Sequence, residues 1–576
     1  MTRSGTAKSG APLSAWLTLA AVAVGTLVVL IDGMAVMVAM PAIAEDLHAS
    51  PAGIQWVGNA QLLALAGLTI PAGTLADRMG RKKAFLLGVG GFALCSLLCG
   101  LAPSIGLLLA ARVVQGAFGA LLMPAGLAAI RAAFPERRLP AAVGVLGSVA
   151  AVAAACGPLL GGVLVQHGSW RWTFFVNVPF GIVGVAVGVW VMTESAVRVY
   201  KRMDLAGAAS STIAIVAGVW AITDAQDHGW NSPRTIGLGM VGVLAFATFI
   251  VVERHVRNPM VPLGLFRNRS FTAGLALLTL TVSVLSAVIF YLMFFLQGAQ
   301  GRNETAAAVA LLPLTVVYAV SPLIGGVLVQ KIGARTTLVI GAVCNAVAMT
   351  LMLRLTVDSG FAISAPPLAL IGVGVGFLLV GSVDAVLAGT PVDKAGVTAG
   401  VKESVQQLGG TLGVAISGTV LMTLVGARFP AAARNALAGT PAAGLADDHA
   451  VQQQVALGFP EASQQALGRS LEQSGTPPDQ AHHLVDTLTD VAHRTFTDSL
   501  HVVYGAGICV AVLAALLALL VRNNTSRAAD AARSSRAVVA GGGEVSVSGP
   551  VPPPCGSGAA GAGADLSGPR SGHPGR

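Results

Sequence analysis

Long apolar runs separated by short polar segments fill most of the first 520 residues of the chain. A helix needs about 20 apolar residues to cross roughly 30 Å of hydrocarbon, because it rises about 1.5 Å per residue. Runs of that length predict 14 transmembrane helices, at residues 16–40, 54–75, 84–102, 105–130, 141–166, 173–193, 205–223, 235–252, 271–297, 306–329, 336–356, 366–388, 397–425 and 500–521. The pattern therefore predicts an all-α integral membrane protein.

Three stretches lack this pattern. Residues 1–15 form a short N-terminal segment. Residues 426–499 are polar, although Leu484, Leu488 and Val491 have the spacing of one helix face, and we expect a loop between the last two spans. Residues 523–576 are rich in Ala, Gly, Ser and Pro and cannot bury enough apolar surface to fold, so we expect a disordered tail.

The composition excludes an ordinary soluble enzyme. The chain is 54% hydrophobic and 11% charged, whereas soluble domains are about 25% charged. No Ser/His/Asp or metal-ligand cluster is apparent, and we expect His482 and His483 to be solvated rather than to bind a metal. None of the seven lysines follows a glycine, which excludes a phosphate-binding Gly-Lys loop and ATP coupling within this chain. Five of the six cysteines lie in apolar runs and Cys555 lies in the tail, so we expect no disulfide or zinc framework.

The formal net charge of +9 is a topology signal. If the N-terminus is cytoplasmic, the segments on that side hold 20 Lys and Arg residues, against four in the short loops of the other side, leaving out the tail and residues 426–499. The positive-inside rule therefore predicts that both termini are cytoplasmic and that residues 426–499 lie outside. Since topology accounts for the basic residues, we expect no nucleic-acid partner.

One segment recurs along the chain. Gly73-Thr-Leu-Ala-Asp-Arg-Met-Gly-Arg-Lys82 reappears in degraded form 253 residues later, as Gly326-Val-Leu-Val-Gln-Lys-Ile-Gly-Ala-Arg335. Both copies link the second and third helix of a six-helix set if residues 205–252 are set aside as two inserted central helices. The prediction is two six-helix pseudo-repeats, at 16–193 and at 271–521 including the loop 426–499. A duplicated transporter of this kind places its substrate site between the halves, near the midplane.

The segment Gly73 to Lys82 matches every named position of the loop Gly-x-Leu-Ala-Asp-Arg-x-Gly-Arg-Lys of the major facilitator superfamily. Over about residues 15–522 the chain resembles the fourteen-helix drug:proton antiporter group of that superfamily. In the first helix Asp32 and Pro41 match the group, whereas Met34 and Met37 stand where it commonly has Thr and Asn. The other matching residues are Leu108, Arg112, Gln115 and Gly116, then Gly157, Pro158, Gly161 and Gly162, and then Trp170, Arg171, Trp172, Asn177 and Pro179.

This resemblance implies a major facilitator fold in the bacterial plasma membrane. It implies proton-coupled efflux of hydrophobic or cationic drugs and antibiotics by alternating access, driven by the proton gradient without ATP or a cofactor. We expect a monomer in the lipid bilayer whose ligands are protons and small molecules. An exporter of one metabolite or antibiotic is an alternative, and a non-transporting sensor or lipid scramblase on the same fold is a second one.

Asp32 and Arg112 are the first candidates for proton coupling. From the rise of their helices, they lie about 12 Å and about 10 Å from the same membrane face. An intramembrane charge is costly, so each needs a partner or a function. Arg112 favours the ionised carboxyl and desolvation favours the protonated one, a balance that a conformational change can tip. The alternative is a buried pair that only fixes helix packing.

The resemblance implies a gating role for the motif residues Gly73, Asp77, Arg78, Gly80 and Arg81. A carboxylate against a helix N-terminus gains about 0.3–1 kcal/mol, so Asp77 is expected to hold one half to the other in one state only. The alternative is a solvated turn whose bases set topology.

The resemblance also implies that Gly157, Pro158, Gly161 and Gly162 form an antiporter motif that seals the exporter. Small residues four apart let helices pack closely and Pro158 is expected to kink its helix; tight packing alone is the alternative. Asp384, Glu403 and Gln407 are further candidates for coupling or substrate binding. Glu403 shares a helix face with Gln407, and pairing of the two acids with Lys402 or Lys394 is the alternative for them.

Overall fold

The structure is a computed structural model, and it describes residues 13–49, 51–194, 204–256, 259–302, 304–388, 390, 394–438, 440–474 and 476–523. Most of the predicted N-terminal segment 1–15 and nearly all of the predicted tail 523–576 lie outside these residues. The described residues form helices joined by short turns and contain no strand. The prediction of an all-α fold is confirmed.

The first half of the chain forms six long helices where six were predicted. Proline is tolerated inside several of them, as expected for membrane helices, whose neighbours satisfy the freed backbone groups. Helix α6 is interrupted at Val176. The helices are α1 (Leu13–Asp46), α2 (Pro51–Met79), α3 (Arg81–Gly100), α4 (Ile105–Ala133), α5 (Leu139–His167) and α6 (Trp172–Val191).

The remaining helices include eight long ones and two short ones. A π-helical turn, Phe295–Ala299, extends α9. The helices are α7 (Leu205–His228), α8 (Pro233–His255), α9 (Arg269–Phe294), α10 (Glu304–Ile332), α11 (Ala334–Met352), α12 (Phe361–Ala388), α13 (Ala395–Ala436), α14 (His449–Ala456), α15 (Glu461–Gln473) and α16 (Pro478–Ala518). Thirteen of the described helices are long and apolar enough to span a membrane. Helix α5, with 29 residues, occupies the place of the remaining predicted span.

Residues 426–499 are not the loop that polarity predicted. Helix α13 continues to Ala436 and α16 begins at Pro478, and a 3-10 helix (Pro441–Asp447), α14 and α15 fill the space between them. Phe429, Phe459 and Leu488 meet in a separate buried apolar cluster. At the surface, a hydrogen bond from the Arg434 guanidinium to Asp447 holds the pKa of that carboxyl below its usual value. The helix face predicted from Leu484, Leu488 and Val491 forms part of this cluster, whereas its other members are too widely spaced for the cluster to be visible in the sequence.

The two predicted halves contact each other most closely through α2 with α13 and α5 with α10, and also through α4 with α13 and α5 with α12. Helices α7 and α8 pack on each other, and α7 also contacts α2 and α13. The Thr212 hydroxyl of α7 donates to the Gly67 carbonyl of α2 at 2.9 Å, and the Trp230 indole donates to Thr419 of α13 at 2.5 Å. The inserted pair therefore lies against the contact of α2 with α13.

Candidate functional site

Asp32 of α1 and Arg112 of α4 form a buried ion pair. The Arg112 Nη1 donates to Asp32 Oδ2 at 2.5 Å. The exposed fractions of the two residues are 0% and 1%. Two helices of opposite direction bring these side chains to one depth, as helix rise predicted.

Three further polar side chains complete this pair. Gln115, one turn after Arg112, donates to Asp32 Oδ1 at 3.1 Å, and Asn177 donates to the same oxygen at 2.6 Å. Asn177 also donates to Ser96 at 3.0 Å. The break of α6 at Val176 puts Asn177 at the start of its long segment, level with Asp32. Sequence reasoning noted Gln115 and Asn177 only as motif matches and missed Ser96.

Protonation of Asp32 would change this site strongly. The carboxylate neutralises Arg112 now, and a buried charge left without its partner costs about 3–5 kcal/mol. Arg112 would keep only neutral partners, the Val57 carbonyl at 3.1 Å, Gln115 Oε1 at 3.1 Å and the Phe174 ring at 5.7 Å. Asp32 therefore links α1, α4 and α6 through its bonds to Arg112 and Asn177.

The side chain of Asp77, a residue of α2, lies against the N-terminus of α13. The Gly396 N–H donates to both carboxylate oxygens, at 3.1 and 2.9 Å, and the Val397 N–H donates to Oδ2 at 3.2 Å. Arg81, one turn later, lies 3.4 Å from Asp77 Oδ1. Asp77 is therefore bonded to the other half of the chain and is not a solvated turn residue. Arg78 is half-buried next to it.

Gly73 permits this contact. A Cβ built on Gly73 would lie 2.3 Å from the Gly396 carbonyl oxygen, and one built on Gly396 would lie 2.6 Å from the Gly73 oxygen. Farther along the same pair of helices, a Cβ on Gly400 would lie 2.6 Å from the Thr69 oxygen. The backbones of α2 and α13 touch over this stretch, which we call the Asp77 end of the molecule.

The second copy of the repeat makes a related contact without a carboxylate. A Cβ on Gly326 of α10 would lie 2.5 Å from the carbonyl oxygen of Pro140, in the first turn of α5. Gln330 stands where the first copy has Asp77, and it is exposed.

Each copy is also tied to the end of the last helix of its half. The Lys82 N–H donates to Glu194 Oε1 at 3.4 Å and Lys82 Nζ donates to the Val189 carbonyl at 2.7 Å. The Arg335 N–H donates to Asn523 Oδ1 at 2.9 Å, and its Nε donates to the Val521 carbonyl at 2.9 Å. These N-terminal contacts of α3 and α11 were not predicted.

The antiporter-motif glycines of α5 pack against α1. A Cβ on Gly157 would lie 2.5 Å from the Met34 Cβ, and one on Gly161 would lie 2.8 Å from the Ala35 oxygen. Gly162 has no neighbour within 4 Å of such an atom. Pro158 lies inside α5, and its side chain is outside the described part. Met34, which departs from the family pattern, thus fills the groove that Gly157 provides.

The weaker candidates lie elsewhere. Asp384 is buried in α12, with 3% exposure. Glu403 pairs with Lys402 at 2.7 Å, as the structural alternative predicted. Gln407 is half-buried one turn later. His482 and His483 are exposed, and the described residues contain no group of three or more His, Cys, Asp or Glu side chains that could hold a metal.

Two amide oxygens that the prediction did not single out lie near the contact of α2 with α13. Gln61 is 1% exposed. Its Oε1 and the Oε1 of Gln406 have no hydrogen-bond partner among the described residues. The pairing of Gly73 with Gly396 and of Thr69 with Gly400 puts Gln61 and Gln406 at a similar depth. Both are buried acceptors without a protein donor in this arrangement.

Comparison with known proteins agrees with this architecture. The family model of the Major Facilitator Superfamily matches residues 22–414. The chain is 36% identical over 508 residues to a tetracenomycin C resistance and export protein of Streptomyces glaucescens, a match covering 88% of this chain and 91% of that one. It is 34% identical to the multidrug resistance protein Stp of Mycobacterium tuberculosis, over 70% of this chain and 75% of that protein. It is 35% identical to the puromycin resistance protein pur8 of Streptomyces alboniger, over 70% and 81%.

A solved structure shares the fold. The human organic anion transporter MFSD10 (TETRAN) superposes with a TM-score of 0.52 at 13% sequence identity, covering 70% of this chain and 93% of that one. At this identity the likeness concerns the fold alone.

Proposed function

The chain belongs to the major facilitator superfamily as a multi-pass membrane protein, and we propose that it exports small hydrophobic or cationic molecules in exchange for protons. The observation that carries this proposal is the Asp32–Arg112 pair, which joins three helices of one half in a fully buried network. Its relatives named as resistance and export proteins support the direction and the class of cargo.

Protons and substrate are exchanged because the transport cycle depends on whether Asp32 is ionised or protonated. With Asp32 ionised, the network is closed and neutral. Proton binding releases Arg112 and disfavours this arrangement by the cost of an unpaired buried charge. The proton gradient then drives the cycle, and no nucleotide is needed. The free amide oxygens of Gln61 and Gln406 suit a substrate that carries hydrogen-bond donors, such as an ammonium group.

The orientation is part of this proposal. The excess of Lys and Arg is on the side of the Asp77 end, which we therefore place in the cytoplasm, together with both termini. The backbones of the halves touch at this end, through Gly73 with Gly396 and Gly326 with Pro140. The arrangement described here is accordingly the one that is closed to the cytoplasm.

The test is Asp32→Asn, with Asp46→Asn as a matched control. Asp46 lies on the same helix and also pairs with an arginine, Arg171 at 2.7 Å, but it is largely exposed. In proteoliposomes with an imposed pH gradient, we expect Asp32→Asn to abolish coupled drug movement and Asp46→Asn to retain it. Proton and substrate exchange that persists in Asp32→Asn would falsify the proposal.

A second candidate, an exporter of one antibiotic, is favoured by the long match to the tetracenomycin C resistance and export protein. A panel of compounds in an efflux-deficient bacterial strain separates the two. Resistance to several unrelated cationic compounds supports the broad exporter. Resistance confined to one polycyclic antibiotic supports the narrow one.

A further inference from the structure

The inserted helix pair carries two buried acids at the Asp77 end. Asp204 precedes α7 and its Oδ1 accepts the Gly207 N–H at 2.8 Å. Glu253 lies in the last turn of α8, where its Oε1 accepts the N–H groups of Met260 and Val261, both at 3.2 Å. Asp204 is 8% exposed and Glu253 is 3% exposed.

The two carboxyl groups lie close together, and each has an oxygen without a partner. A Cβ built on Gly207 would lie 2.5 Å from Asp204 Oδ2 and 3.1 Å from Glu253 Oε1, so these two oxygens flank the same point. Asp204 Oδ2 and Glu253 Oε2 are buried and have no hydrogen-bond partner among the described residues. A buried oxygen without a hydrogen-bond donor lowers the stability of the folded protein unless a donor is supplied.

The opposite end of the same helix pair is built differently. Asp224 is as buried as Glu253, but it lies 3.0 Å from Arg234 Nε and accepts the Thr235 hydroxyl at 2.8 Å. Asp224 thus has a cationic partner, whereas the described residues offer none to Asp204 or Glu253.

Most other described charged or titratable side chains near the Asp77 end are bonded elsewhere or exposed, and Arg78 and Lys394 are half-buried. On α2 Asp77 is bound to α13, and on α13 Lys402 is paired with Glu403. The exposed ones are Arg254, His255, Arg267 and Arg269.

We propose that Asp204 and Glu253 share one proton and form a second proton-binding site, separate from Asp32. Two like charges this close and this buried cannot both stay ionised. One proton removes one charge and supplies the donor that an unpartnered oxygen lacks. The site holds the 260–261 backbone through Glu253, so a change in its protonation alters the hydrogen bonds that hold the connection between α8 and the second half.

The test reads protonation and not transport, so its result is independent of the Asp32 experiment. The full-length protein in detergent is treated at pH 7 with a hydrophobic carbodiimide, which modifies protonated carboxyl groups, and the modified residues are identified by peptide mass spectrometry. We expect about tenfold more modification at Asp204 or Glu253 than at Asp224, because Asp224 is paired with Arg234. Modification of Asp224 to the same extent would overturn the proposal.

Thermal unfolding gives a second readout that does not need reagent access. A proton bound in the folded state stabilises it at low pH, and this stabilisation is lost as the pH rises past the point where the proton leaves. The unfolding temperature of the wild type should therefore fall as the pH rises from about 4, the ordinary pKa of a free carboxyl group, to the pH at which the shared proton leaves. Asp204→Asn and Glu253→Gln, each a mimic of the protonated partner, should flatten that fall, and Asp224→Asn should not.

If both amide variants keep the wild-type pH dependence, no proton is shared and the proposal fails, whatever the carbodiimide result. Protection from carbodiimide by sodium but not by potassium would also overturn it, since a metal cation would then occupy the site.

Discussion

The two copies of the repeated segment, residues 73–82 and 326–335, occupy matching places and do different things. In each, a glycine lies against the first turn of a helix of the other half, Gly73 on α13 and Gly326 on α5. In each, the third helix begins after a glycine with positive φ, Gly80 at 102° and Gly333 at 89°, a conformation that other residues rarely adopt. The scaffold is therefore repeated almost completely.

The latch is not repeated. In the first copy Asp77 accepts the N–H groups of Gly396 and Val397, the second and third residues of α13. In the second copy the corresponding side chain is Gln330 and the second residue of α5 is Pro140, which has no N–H to donate. The halves thus meet at this end through one contact that includes a hydrogen-bonded carboxylate and one that is steric alone. The difference teaches that duplication supplies the shape and that only the first copy adds a carboxylate to it.

The largest expected effect breaks the shared scaffold. Gly73→Ala and Gly326→Ala would each put a methyl group within 2.5 Å of a carbonyl oxygen of the other half. Overpacking of this kind costs about 1–3 kcal/mol, so we expect about tenfold to hundredfold less efflux from each variant at equal expression. Gly237→Ala is the control, because nothing lies within 4 Å of the added atom. If both variants match that control, the backbone contacts are not needed for transport.

A smaller effect separates the two copies. Asp77→Asn removes the charge from the α13 N-terminus, an interaction worth about 0.3–1 kcal/mol and up to about 2 when partly buried. We expect efflux to fall about fivefold to tenfold, which corresponds to about 1–1.4 kcal/mol. Gln330→Ala, at the matching place, should leave efflux unchanged. Equal losses from both variants would mean that the copies act alike.

The second copy can also be given the carboxylate and the backbone N–H that it lacks. Gln330→Asp together with Pro140→Ala gives α10 a carboxylate and α5 a free N–H at the position that Gly396 holds in α13. We expect a second latch that favours the closed Asp77 end by about 0.3–1 kcal/mol. The measurement is the labelling rate of a cysteine placed inside the Asp77 end, which should slow twofold to fivefold relative to each single variant, as that energy allows. An unchanged rate would show that the carboxylate alone does not make the latch.

What the sequence could predict depended on the range of the interaction. Hydropathy found the spans and fixed helix rise put Asp32 level with Arg112, because both are local properties of a helix. Neither property could show that Gly73 contacts Gly396, because only the packing of the two halves brings these residues together. Polarity averaged over residues 426–499 hid the scattered apolar side chains that meet around Phe429 and Phe459. Glu194 and Asn523 were missed because each binds a helix N-terminus far from it in the chain.

The smallest expected effect concerns those two residues. Glu194 and Asn523 accept the N–H of the second residue after Gly80 and after Gly333, so each satisfies a donor at the start of a helix. Loss of such a contact costs about 0.5 kcal/mol, the low end of the range for helix caps, because both contacts are exposed. Asn523→Ala should lower the unfolding temperature more than Glu194→Gln, since the amide keeps an acceptor oxygen and the methyl group does not. Thermal unfolding of the purified variants checks this. The double variant Glu194→Ala with Asn523→Ala should lose the sum of the two single effects, because the contacts lie in different halves; a loss well beyond the sum would mean that the halves are coupled through these ends as well as through Asp77.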